Sequence, residues 1–172
     1  KETQDLLKAA SRFLPRLLLK VLHPGALAIA TQLLQDYDFD GIKLVLPTTV
    51  FDERHVLDLD GTEVHLIHVG PCHQAGDTII HVPGEGVLFA GDVLFRQCTP
   101  MGWTGTYAKW IKILDLIIAL KPKVIVPGHG PVCGIEGVVE MKAYLEYLRD
   151  ESRRCFEQGL GSLEASKRID LG

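Results

Sequence analysis

A chain of 172 residues, 47% hydrophobic and 23% charged, is long enough to bury roughly two-thirds of its unfolded surface around one core. That composition excludes a disordered or fibrous protein. The 18 basic and 22 acidic residues leave a formal charge of -4, so no electrostatic footprint for nucleic acid exists. Cys72, Cys98, Cys133 and Cys155 contain no Cys-x-x-Cys pair, which signals neither a zinc ribbon nor a disulfide framework and makes a reducing cytoplasm the expected home.

In chain order, Leu6, Leu7, Ala10, Phe13, Leu14, Leu17, Leu18, Val21 and Leu22 recur at three- and four-residue spacing. Pro24-Gly25 then breaks the pattern before a second run through Leu34. Residues 1–40 therefore read as a helical hairpin. The apolar stretch Phe13 to Leu34 is interrupted by Pro15, Arg16, Lys20, His23 and Pro24, too often for a membrane span. From Gly41 strands are expected: Ile42–Leu46, Val50–Phe51, and His55–Leu59 joined to Glu63–Val69 through the hairpin signal Asp60-Gly61. A second hairpin is expected from Thr78–Val82 and Val87–Ala90.

Tyr107, Trp110, Ile111, Leu114, Ile117 and Ile118 fall on one face of a helix over Thr106–Leu120, with Lys109, Lys112 and Asp115 largely opposite. Val124–Val126 reads as a short buried strand. Ile135–Phe156 reads as a long helix with Val138, Met141, Leu145 and Leu148 inward. A last helix is expected near Ser162, taken as its N-cap. No repeat or linker interrupts the chain, so residues 1–172 are expected to form one domain, with 41–172 as its α/β part.

Three stretches carry the chemistry: Gly70-Pro71-Cys72-His73-Gln74-Ala75-Gly76-Asp77, Phe89-Ala90-Gly91-Asp92 and Pro127-Gly128-His129-Gly130-Pro131. Each places a metal-capable side chain just beyond an expected strand, where layered α/β folds gather ligands. Imidazole suits Zn²⁺ or Fe²⁺, and a carboxylate can bridge two ions. His73, Asp92 and His129 are therefore the candidate metal ligands. Taken singly, each is more often a surface histidine or a turn aspartate; their joint occurrence at strand ends singles them out. His65 and His68 lie at odd separation on opposite faces of one strand and read as structural. Cys72 reads as a small buried thiol. Gly102, Trp103 and Tyr107 follow Asp92 and read as aromatic packing.

The stretch His73-Gln74-Ala75-Gly76-Asp77-Thr78, the strand closing in Asp92 and the Pro127–Pro131 turn together resemble the motifs of the metallo-β-lactamase superfamily, over about Asp52 to Arg154. Asp92 stands where some true β-lactamases carry Cys, which resembles the glyoxalase II and lactonase-like branches. The resemblance implies the C-terminal part of an αββα four-layer sandwich. It implies a two-metal zinc site, with iron or manganese as alternatives, in which His73 binds the first ion, Asp92 bridges and His129 binds the second. It implies a hydrolase in which metal-bound hydroxide attacks an ester, thioester, lactone or amide carbonyl of a small molecule. It also implies, as the alternative to packing, that Gly102, Trp103 and Tyr107 border the substrate cleft.

The family signature His-x-His-x-Asp-His occurs nowhere in the sequence. The expectation is thus a C-terminal portion, inactive alone, that either self-associates or pairs with the missing N-terminal half. Two other readings stay open: a catalytically inactive binding or assembly module, and an iron-dependent oxidoreductase of the same fold.

Overall fold

The computed structural model describes residues 41, 43 and 45–171. The chain divides into two compact units, Lys1–Val50 and Phe51–Gly172; the fold and the candidate site lie in the second. The expected helical hairpin over residues 1–40 falls outside the described residues.

Five strands form one mixed sheet in the order β1-β2-β3-β4-β5. They are β1 (Arg54–Leu59), β2 (Thr62–His68), β3 (Thr78–Val82), β4 (Val87–Phe95) and β5 (Val124–His129). Helix α1 (Tyr107–Leu120) connects β4 to β5, and α2 (Ile135–Glu157) and α3 (Ser162–Arg168) complete the chain. The first three pairings are antiparallel and the β4–β5 pairing is parallel. It follows that β2, β4 and β5 run the same way and end at one edge of the sheet. That edge receives His73, Asp92 and His129.

Local chemistry accounts for most of the elements. Asp60 and Gly61 take left-handed φ values of 52° and 88°, the demand of a two-residue hairpin turn whose twist matches its strands. The Asp58 carboxylate closes that turn by accepting from Gly61 N–H at 2.7 Å. Helix α1 begins where the Thr106 hydroxyl accepts from Lys109 N–H, satisfying an otherwise orphaned donor. It stops at Lys121 in the left-handed region, just before Pro122.

The core lies between the sheet and the two long helices. Ile79, Leu88, Ala90 and Ile125 from one sheet face pack with Trp110, Leu114 and Ile117 of α1 and Val138, Met141 and Leu145 of α2. All except Met141, at 4%, are at most 1% exposed. On the other face the registers align His55, Leu66, Ile80, Phe89 and Val126 across all five strands. Here no residue is fully buried, and Phe89 is 44% exposed.

The strands depart from the sequence reading in three places. Residues 45–51 form no strand, since Pro47 lacks the N–H a ladder needs; Ile42 and Leu44 lie outside the described residues. Strand β4 does not end at Ala90 but continues to Phe95, with register shifts against β5 on either side of Gly91. Gly91 adopts a φ of 52°, so the glycine that reads as a terminus is a bulge. Strand β5 likewise runs through Pro127 to His129, a proline tolerated because β5 is an edge strand. At α3, Ser162 is the first helical residue and Gly161 the cap.

Candidate metal centre

His73 sits in the loop joining β2 to β3, and that loop is closed by Asp77. The Asp77 carboxylate accepts from the backbone N–H of Cys72 at 3.0 Å and of Gln74 at 3.0 and 3.1 Å. Its backbone carbonyl accepts from Val69 N–H at 2.8 Å and Gly70 N–H at 3.1 Å. The Lys109 ammonium reaches across from α1 to donate to the Gly70 carbonyl. Cys72 lies fully buried within this loop, and burial, reinforced by the Asp77 charge, pushes its thiol up to about 12. At that value it is no nucleophile, so the buried-thiol reading stands.

The imidazole of His73 is aimed by a distant partner. Its Nδ1 lies 2.6 Å from the Met101 carbonyl, an acceptor only, so Nδ1 carries the proton and Nε2 presents a lone pair. The contact is reinforced by Trp103 N–H donating to the His73 carbonyl at 2.9 Å. The 97–106 segment thus fixes the ring from outside its own loop.

Asp92 sits in the bulged half of β4, and its two carboxylate oxygens serve different neighbours. His73 Nε2 is 3.4 Å from Oδ2, and His129 Nε2 is 3.5 Å from Oδ1. Exposure of the three side chains rises from 13% for His73 through 38% for Asp92 to 57% for His129. The arrangement is closed on the His73 side and opens toward His129. Gly128 makes the approach of β5 to Asp92 feasible: a Cβ there would collide with Asp92 Oδ1 and lie 2.6 Å from the Gly91 carbonyl carbon.

These donors fit divalent metal. Separations of 3.4 and 3.5 Å exceed the 2.7–2.9 Å of a charge-assisted hydrogen bond. Two ligands at zinc distances of about 2.0–2.1 Å and a tetrahedral angle stand about 3.3–3.4 Å apart. The Met101 carbonyl holds His73 Nδ1 in the way that an outer hydrogen bond would fix the tautomer of a ligating imidazole. Among the described residues no three His, Cys, Asp or Glu side chains gather around one point. The trio instead makes two donor pairs that share Asp92.

The sequence profile of the Metallo-beta-lactamase superfamily matches residues 9–129. The chain belongs to this superfamily. A linear primary-alkylsulfatase of a Pseudomonas species is 28% identical over 138 residues, covering 74% of this chain and 26% of the relative. A type 2 metallo-beta-lactamase of Bacteroides fragilis is 28% identical over 116 residues, covering 64% of this chain and 47% of the relative. The chain therefore spans less than half the length of these curated relatives. Among solved structures, the metallo-beta-lactamase from Pontibacter korlensis superposes with a TM-score of 0.54 at 20% identity, covering 70% of this chain and 55% of that one. The last likeness shows the metallo-β-lactamase fold.

Within that fold the three expected residues meet at one edge. Of the other described histidines, His65 has its Nδ1 2.8 Å from an Arg54 guanidinium nitrogen and its Nε2 3.0 Å from the Glu63 carboxylate, and His68 Nε2 lies 3.0 Å from the Ala75 carbonyl; His23 lies outside the described residues. His81 is buried in β3, and burial first, then the neighbouring His65 and Arg54 charges, lowers its pKa. Gly102 lies against the Trp110 ring and Trp103 is 67% exposed. Sequence reasoning missed Met101, whose contribution is a backbone carbonyl and leaves no side-chain signal. It also missed the Lys109 contact, because Lys109 reads as solvent-facing on α1. The fixed spacing from His73 to Asp77 was the one available hint of a self-closing loop.

Proposed function

We propose that the protein carrying this chain is a metal-dependent hydrolase that uses His73, Asp92 and His129 as part of a two-metal centre. The supporting observation is the division of the Asp92 carboxylate, one oxygen toward each imidazole Nε2. Zinc suits two imidazoles and a carboxylate, and iron or manganese would accept the same donors. Divalent ions at such a centre supply Lewis acidity and a more acidic water.

The chain's own residues prepare the site. Met101 keeps the His73 Nε2 lone pair available, Asp92 supplies negative charge between the two rings, and Gly128 admits the carboxylate to its place. The substrates we assign are small molecules with an ester, thioester, lactone or amide carbonyl. The likeness to an alkylsulfatase adds sulfate esters to the set worth assaying.

Three side chains give each ion only two donors, whereas a catalytic zinc normally has three protein ligands. The remaining donors are assigned to an N-terminal half of the sandwich outside this chain. The second sheet face favours that assembly: Leu66, Ile80, Phe89 and Val126 form an apolar row without a charged residue, and such a surface suits packing by another sheet. Metal analysis of the full-length protein should find bound metal, lost in His73→Ala and Asp92→Ala variants that retain their circular dichroism. A metal-free protein, or variants with undiminished metal, would defeat the reading. Hydrolysis of an aryl ester, a thioester, a lactone, a β-lactam and an alkyl sulfate then separates the substrate classes. Elemental analysis separates zinc from iron, and iron together with no hydrolysis of any of these substrates would favour an iron-dependent oxidoreductase. Light scattering of this chain with and without the N-terminal half tests the sheet face: a monomer that ignores the added half rejects the docking.

A further inference from the structure

Phe95 touches both candidate ligand rings. Its ring stacks on His129 with centroids 4.9 Å apart and planes 12° from parallel, and meets His73 at 5.8 Å and 51°. Phe95 is only 6% exposed and is itself anchored in the core. Trp110 lies edge-on to it at 6.3 Å, and the Phe95 backbone N–H points to the Met141 sulfur at 3.3 Å. Trp110 is in turn fixed by donating from Nε1 to the Val93 carbonyl at 2.8 Å.

The two histidines differ in what else orients them. His73 has the Met101 carbonyl; among the described residues the His129 ring has no backbone hydrogen bond and faces only Asp92 and Phe95. Asp92 and Phe95 stand three positions apart, which in a regular strand points side chains to opposite faces. The register shift between Gly91 and Phe95 removes that constraint, and both residues reach His129.

We infer that Phe95 is a positioning residue: a core-anchored aromatic ring that sets the imidazole plane of His129, and less strongly that of His73, for metal binding. The inference rests on the metal-centre reading given above. A stacked aromatic pair is stabilising beyond the area it buries, which holds one ring orientation on an exposed histidine.

The test uses the full-length protein that carries this chain, with ¹⁵N- and ¹³C-labelled histidine. Phe95→Leu keeps an apolar core residue and removes the stack, with Phe95→Met as the second choice if the leucine variant does not fold; Leu145→Ala is the control for general core loss. In metal-free protein, ¹³C relaxation should show the His129 ring becoming mobile in the Phe95 variant while His73 stays ordered, with neither changed in Leu145→Ala. Zinc titration followed by the imidazole ¹⁵N shifts should weaken at His129 by about two- to tenfold, the loss expected of a stacked aromatic pair, and less at His73. Phe95→Tyr should restore both readouts. Unchanged His129 ring order and zinc response in the folded Phe95 variant would overturn the inference, as would an equal loss in Leu145→Ala. If the wild-type full-length protein shows no zinc response, the metal reading fails, while the metal-free ring order still decides the role of Phe95.

Discussion

Val87–Ala90 and Gly91–Phe95 are consecutive halves of β4, yet they obey different rules. In the first half Leu88 and Ala90 turn into the core and Phe89 turns away, the two-residue alternation of a regular strand. Its neighbours on both sides pair in continuous register. In the second half the register slips twice against β5, Gly91 takes a left-handed φ, and Val93, Leu94 and Phe95 are all buried in succession. The regular half is organised by water exclusion. The irregular half gives up alternation so that Asp92 and Phe95, three apart, can meet the same histidine. Stability and site geometry are thus separable along one strand.

The largest expected effect tests the regular half. Leu88→Ala removes a fully buried side chain and should destabilise the fold by about 2–5 kcal/mol in urea denaturation. It should leave zinc affinity of the folded protein unchanged, and a parallel drop in affinity would break the separation. Gly128→Ala acts on the irregular half by driving a methyl into Asp92 and the Gly91 backbone. Overpacking of this kind costs about 1–3 kcal/mol, and here metal binding should fall with it. Wild-type metal content in this variant would show that the close approach is not needed.

Smaller effects sharpen the contrast. Thr106→Ala deletes the N-cap bond to Lys109 N–H and should cost about 1 kcal/mol, measured as a lower denaturation midpoint with zinc affinity intact. The smallest effect is a pH slope from His81, which pairs with Leu88 across β3 and β4. Its folded pKa lies below 6.5 because burial, then His65 and Arg54, disfavour the charged ring. As pH falls below about 6.5 the unfolded chain takes up the proton first, so this stability is full above that pH and is lost toward acid. Denaturation midpoints between pH 7 and pH 5 should fall less steeply for His81→Gln than for wild type.

What the sequence made legible was whatever repeats or punctuates. The apolar stripe of α1 appears as buried Trp110, Ile111, Leu114 and Ile117, and Asp60-Gly61 turns the β1–β2 hairpin. The motif histidines and Asp92 were also readable, because glycine-flanked polar residues interrupt apolar runs. Glycine misleads in one respect: Gly91 marks a bulge and not the end of β4, a distinction made by pairing with β5 and not by local propensity. Phe95 lies beyond the expected strand Val87–Ala90 and carries no sequence signal of its role, since nothing local foresees the register slip that turns it onto His129. No helix among the described residues is long and apolar enough to cross a membrane; the stretch Phe13 to Leu34 lies outside those residues.

The Asp77 clasp has a consequence for how such a site can be handed on. The bonds made by Asp77 lie wholly between Val69 and Asp77, and they are the part of the bend that can keep its shape through drift in the surrounding sequence. The contacts of Trp103 and Gly105 N–H, the Lys109 ammonium and the His68 imidazole with the carbonyls of the bend come from outside it. The direction of the imidazole is not portable, because Met101 supplies it from 28 positions away. The clasp is inherited locally, and aim has to be renegotiated with every new 97–106 loop.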